Sequence, residues 1–174
     1  LNNTVNEIYN LYGWNFSEES IFQMINIPQD ISNGTLTGRL KSTSVVYHSP
    51  FDSIINIIAD NRKIELYTFF GVPYLRKYSN TAMNITIIRL AEIYLNRAEC
   101  KIHLDYNDSE IREDYNMIRS RANAINDSLL SGENLLNAIH IERWYELGFE
   151  GDRFHDIKRR KEVFNTAIGK FEWN

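Results

Sequence analysis

Glu142 and Glu146 stand one helical turn apart in a run that mixes carboxylates, guanidinium groups and large apolar side chains: Glu142-Arg-Trp-Tyr-Glu-Leu-Gly-Phe-Glu-Gly-Asp-Arg153. Two carboxylates are the minimum equipment of a glycosidase, whose pair lies about 5–10 Å apart across the bond to be cut. Adjacent turns of one helix present both groups to the same side, so they do not flank a substrate. The surrounding pattern favours a structural role. Leu135, Ile139, Glu142 and Glu146 recur at spacings of four, three and four, which makes one stripe, apolar at its start and acidic at its end. Carboxylates that close to a core need partners, because unpaired buried charge is very costly. Arginine suits the task, since its planar fork binds carboxylates in pairs. The expectation is a buried or half-buried network that fixes helix register. It would use Glu142, Arg143, Glu146, Glu150, Arg153 and Asp156 from this run, with Arg89, Glu92, Arg119 and Arg121 from other helices.

Other constellations carry less. His140, Glu142 and His155 have the side chains of a metal site, but no His-Glu-x-x-His spacing occurs and Cys100 is the sole cysteine. Hydrogen-bonded histidines are the simpler reading. No phosphate loop and no nucleophile elbow are present. No catalytic residue, metal or cofactor is therefore expected. The Lys158–Lys161 run, flanked by Asp156 and Glu162, reads as a solvated helix end. Aromatic side chains, 13% of the chain, are the remaining candidates. Tyr9, Tyr12, Trp14 and Phe16 form one group, and Tyr67, Phe69, Phe70, Tyr74 and Tyr78 another. Sugar rings have apolar faces that lie against flat aromatic side chains. Trp14, Tyr12, Tyr47 and Tyr74 are the expected ligand contacts, against the alternative that they pack the core.

Composition bounds the rest. A formal net charge of −4, with no long basic block, gives no electrostatic support to nucleic-acid binding. No apolar stretch approaches the roughly 20 residues that span a bilayer. The 174 residues suffice for one domain with a core. Residues 1–82 read as irregular and aromatic-rich, with all three prolines (Pro28, Pro50, Pro73). Within them a helix is expected over Asp52–Ile58, and short strands over Thr43–Tyr47 and Leu66–Phe70.

Residues 83–174 read as a helical scaffold. Ala91, Leu95, Ala98 and Ile102 make a first stripe, with Ile87 and Ile88 upstream. Ile111, Tyr115, Ile118 and Ala122 make a second, in a helix capped by Asp108 or Ser109. A third helix is expected from near Glu133 to Leu147, with Gly148 as a left-handed cap. A fourth starts at Asp152 and ends in cations that suit the negative end of its dipole. Cys100 is expected to be buried as a small apolar residue. Short loops imply antiparallel hairpins.

Ile88-Arg-Leu-Ala-Glu-Ile-Tyr-Leu-Asn-Arg-Ala-Glu99 resembles a segment shared by the SusD/RagB family of outer-membrane nutrient-binding lipoproteins. Tyr115-Asn-Met-Ile-Arg-Ser-Arg-Ala122 is similar to that family's next helix, and Ile141–Arg159 to its most recognisable motif. Ser17-Glu-Glu-Ser-Ile-Phe22, Asp60-Asn-Arg62 and Lys77-Tyr78 fall in the family's order. The resemblance implies an all-α fold of tetratricopeptide-like helical hairpins with a loop-rich N-terminal half. It implies a non-enzymatic protein at the bacterial outer-membrane surface, capturing oligosaccharide or another nutrient for a SusC-type TonB-dependent transporter. Family members are several hundred residues long and carry a lipid on an N-terminal cysteine, an anchor this chain lacks. The chain is therefore expected to be the C-terminal part of a member. The competing expectation is a helical protein–protein interaction module without glycan binding of its own.

Overall fold

A computed structural model describes residues 17–25, 60–69, 72–73, 75, 77, 84–165 and 170–173. Four helices carry the scaffold: α2 (Leu90–His103), α3 (Asp108–Arg121), α4 (Gly132–Glu146) and α5 (Asp152–Arg160). A short helix α1 (Asn61–Leu66) precedes them. Three two-stranded antiparallel ribbons complete the described elements: β1 (Ser20–Met24) with β4 (Ile85–Arg89), β2 (Thr68–Phe69) with β3 (Val72–Pro73), and β5 (Glu162–Asn165) with β6 (Lys170–Trp173).

The core follows from the helical period. Ala91, Leu95 and Ala98 of α2, Ile111, Tyr115 and Ile118 of α3, and Leu135 and Ile139 of α4 form one buried cluster. These are the stripes read from spacing, and their burial turns α2, α3 and α4 toward a common centre. Small residues at 91 and 98 let the partner helix approach closely. The α2–α3 hairpin closes through Leu104, whose amide donates to the Cys100 carbonyl at 3.1 Å, and through Asp105 in the left-handed conformation (φ 55°). The longer α3–α4 connection is held on α3 by the Asn116 side chain. Its Nδ2 donates to the Asp127 carbonyl at 2.8 Å and its Oδ1 accepts from the Asp127 amide at 2.9 Å.

Several local readings need correction. Cys100 is exposed. At about 100° per residue it lies roughly opposite the stripe of Ala91, Leu95 and Ala98, so helix geometry turns it outward. Of the strand expected over Leu66–Phe70, Thr68–Phe69 forms β2, while Leu66 closes α1, whose N-terminus the Asp60 carboxylate caps by accepting from the Arg62 amide at 2.9 Å. Ile87 and Ile88 belong to β4 rather than to a helix. The left-handed position expected at Gly148 falls at Phe149 (φ 68°). Asn107, not Asp108 or Ser109, occupies the N-cap of α3. The expected elements at 43–47 and 52–58 lie outside the described residues.

Candidate functional site

The acidic end of the α4 stripe is wholly buried, with Glu142 and Glu146 each 1% exposed. Partners reach it from four directions. Glu146 Oε1 lies 2.5 Å from Arg89 Nη1 and also pairs with Arg121 Nη2, while its Oε2 lies 2.8 Å from Arg62 Nη1. Glu142 pairs with the same Arg62 nitrogen at 2.6 Å and with Arg119 at 3.1 Å. Strand pairing between β1 and β4 carries Glu19 to Arg89 (3.0 Å) and Arg121 (2.6 Å). The cap residue Asp60 closes on Arg62 at 2.6 Å. Glu150, just past α4, takes Lys77 at 2.6 Å and Arg89 at 2.8 Å. Among the described residues these pairs link five carboxylates (Glu19, Asp60, Glu142, Glu146, Glu150) with five cations (Arg62, Lys77, Arg89, Arg119, Arg121). The balance of charge is what allows so many ions to share a buried site.

Backbone and aromatic groups finish the enclosure. Lys77 Nζ and Arg89 Nη2 donate to the Glu146 carbonyl at 2.7 and 2.9 Å, satisfying an orphan acceptor at the α4 C-terminus. The Arg62 guanidinium lies 4.4 Å over the Tyr145 ring, and the Tyr67 hydroxyl donates to the Tyr145 carbonyl at 2.6 Å. Burial alone would raise the Glu146 carboxyl, but Arg121, Arg89 and Arg62 hold it well below the usual carboxylate range. Glu150 is likewise drawn down to about 2, by Arg89 and Lys77 against burial. Burial brings Lys77 down to about 8 despite Glu150 beside it.

A second cluster ties α2, α4 and α5. Arg143 grips Asp152 through two bonds of 2.8 and 3.0 Å, with Asn96 at 2.5 Å and Glu92 at 3.5 Å. Asp156 gathers Arg153 (3.2 Å), Arg159 (2.8 Å) and Arg160 (3.0 Å). Arg159 also reaches Glu99 at 2.6 Å, and His140 Nε2 lies 3.3 Å from that same carboxylate.

Of the residues named from the sequence, Arg89, Arg119, Arg121, Glu142, Glu146 and Glu150 therefore meet in the first cluster. Glu92, Arg143, Arg153 and Asp156 meet in the second. Sequence reasoning assigned no role in either cluster to Glu19, Asp60, Arg62 and Lys77. Their only signal was the family resemblance of the short runs that contain them. His140 goes to Glu99, and among the described residues no three of His, Cys, Asp and Glu converge as a metal site. Tyr12, Trp14, Tyr47 and Tyr74 lie outside the described residues. Of the second aromatic group, Tyr67 is buried.

Between the two clusters opens a cavity of about 290 Å³. Arg89 and Glu150 line it from the first cluster, Glu92 and Asp152 from the second, and Ile87, Ile88 and His155 add to its walls.

The helical scaffold has close counterparts among solved structures. A SusD superfamily protein from Parabacteroides distasonis superimposes with a TM-score of 0.76 at 17% identity, covering 99% of this chain and 45% of that one. A SusD homologue from Bacteroides thetaiotaomicron gives 0.71 at 23% identity, over 89% of this chain and 40% of that one. A SusD-like carbohydrate binding protein from Bacteroides vulgatus gives 0.65 at 22%, over 97% and 43%. The fold is thus the SusD-type helical scaffold. The SusD family model matches residues 66–172, and the chain belongs to that family. It spans about two fifths of the length of these relatives. No curated protein matches it.

Proposed function

We propose that the protein binds a nutrient, an oligosaccharide by preference, at the outer-membrane surface and hands it to a SusC-type TonB-dependent transporter, without catalysis. Family membership over residues 66–172 carries this reading. A relative of the same fold described as carbohydrate binding supports it. The buried clusters fit a scaffold role: their carboxylates are occupied by arginines inside the protein, which leaves Glu142 and Glu146 no freedom to act as an acid–base pair. In this reading they fix the register of α4 against α1, α3 and β4, while ligand contacts come from elsewhere. Calorimetric titration of the full-length protein with a glycan panel tests it. Saturable binding without hydrolysis is the expected result; no binding to any glycan or peptide overturns it.

One observation favours docking to another protein as a second activity. Ile21, Phe22 and Met24 of β1 and Ile87 of β4 are about half exposed or more, an apolar ribbon of a kind that marks interaction surfaces. Transporter binding would use such a ribbon, so pull-down by a SusC-type partner, with and without Phe22→Ser, separates the two activities.

A further inference from the structure

We propose that the outer face of α5 docks on an anionic lipid surface and orients the protein there, its cations meeting phosphate-bearing headgroups. The proposal rests on the cell-surface part of the reading above and adds to it the side that is turned toward the membrane.

Charge is sorted across α5. At about 100° per residue, Phe154, His155, Lys158 and Arg159 share an arc of about 140°. All four are exposed, Phe154 by 69% and the Arg159 side chain by 51%, and Lys161 just past the helix is exposed as well. The opposite side holds Asp156 and Arg160, both buried. The carboxylates between 152 and 162 all turn to arginines: Asp152 to Arg143 at 2.8 Å, Asp156 to Arg160 at 3.0 Å, and Glu162 to that same Arg160 at 2.6 Å. The outer face therefore carries cations and an aromatic ring but no carboxylate, on a chain whose formal net charge is −4. Among the described residues the ammonium groups of Lys158 and Lys161 enter no ion pair.

The helix dipole explains cations at a C-terminus. It does not explain Phe154 and His155 a turn earlier, nor the exclusion of carboxylates from the face. Phe154 meets the His155 ring edge-on, with centroids 5.6 Å apart, which keeps the two rings together beside the cations. An aromatic ring flanked by cations suits the headgroup layer, where the ring reaches the acyl boundary and the cations meet phosphate. An acidic polypeptide would satisfy the cations and give Phe154 no apolar partner. Each cation near an anionic surface strengthens attachment about fivefold. Three cations thus orient a protein already held at a membrane and do not recruit a free one.

The test uses the full-length, lipid-anchored protein on vesicles whose headgroups carry a nitroxide quencher. In a Cys100→Ser background, a fluorophore is attached through His155→Cys on the outer face of α5, or through Glu113→Cys on the exposed side of α3. On vesicles containing phosphatidylglycerol the probe at 155 should be quenched well beyond the probe at 113, and the difference should fade as salt rises. Vesicles of phosphatidylcholine alone should abolish it. Lys158→Glu and Lys161→Glu should each lower the ratio of docked to undocked protein about fivefold at an unchanged thermal midpoint, and Lys63→Glu on α1 should not. Equal quenching at both positions on anionic vesicles overturns the proposal, as does quenching that Lys158→Glu leaves untouched. Relief by inorganic phosphate beyond that by sodium chloride of equal ionic strength also overturns it, since it marks a discrete anion pocket. Quenching that needs a reconstituted transporter overturns it too, since it marks a protein partner. Each of these outcomes leaves the glycan titration, and the reading it tests, standing. A full-length protein absent from the cell's membrane fraction removes both.

Discussion

Arg89 Nη1 lies 2.5 Å from Glu146 Oε1 although the two residues are 57 positions apart in the chain. Arg89 is the last residue of β4 and Glu146 the last of α4. Their pair therefore joins the entry of the α2–α3 hairpin to the exit of α4. The same arginine holds Glu19 and Glu150, so one side chain locks β1, β4 and the α4–α5 turn together. Each carboxylate is in turn shared, which makes the cluster a network and not a set of separate bridges.

Removing its central carboxylate should be severe. Glu146→Ala leaves Arg62, Arg89 and Arg121 around a vacated buried position, each short of one carboxylate. Breaking a buried pair from one side costs about 3–5 kcal/mol. For a chain of this size that corresponds to a fall of roughly 6–20 °C in melting temperature. Differential scanning calorimetry should show this for Glu146→Ala, while the exposed Glu113→Ala on α3 stays near the parent. Equal, small shifts for both would mean that the network is not a major source of stability.

Acid should unfold the protein through the same groups. Glu150 and Glu99 titrate near 2 in the folded state, against 4.5 ordinarily. For Glu99, burial is outweighed by bonds to His140 and Arg159. A folded pKa below the unfolded one means that the unfolded chain holds more protons on acidification, so stability rises with pH across that interval. The contribution is complete above about pH 5 and is lost as pH falls from about 4.5 toward 2. Urea midpoints measured through that window should drop steeply, and Glu99→Gln should flatten the slope. A flat profile in the parent would contradict the ion-pair geometry.

The apolar half of this architecture was legible in the sequence because a helix has a fixed period. Leu95, Ile118 and Ile139 declare their common side by spacing alone. The acidic continuation at Glu142 and Glu146 was legible for the same reason. What spacing does not encode is which distant residue arrives as partner. Arg62 reaches Glu146 across 84 positions and Arg121 reaches Glu19 across 102, distances set by chain topology and strand pairing. Helical period also fails where a strand runs directly into a helix, as β4 runs into α2, since apolar Ile87 and Ile88 extend the α2 pattern without sharing its geometry. The cavity was illegible for a related reason: β4, α2 and the α4–α5 turn each contribute one wall, and none is remarkable alone.

The clearest check on the helical geometry uses Cys100, because spacing and residue type point in opposite directions there. Its chemistry suggests burial, yet its phase on α2 places it outside, and the structure exposes it. The native protein should therefore react fully with Ellman's reagent in the absence of denaturant, at a rate that added urea changes little. Cys100→Ser should leave the melting temperature unchanged, since no packing is lost. Leu95→Ala, five positions before it and on the buried side, removes a side chain that is 0% exposed. That truncation should cost about 2–5 kcal/mol. A thiol that reacts only on unfolding, or a Leu95→Ala protein as stable as the parent, would show that α2 is rotated from the phase described. Every assignment that depends on that phase, the Glu92 wall of the cavity included, would then fall with it.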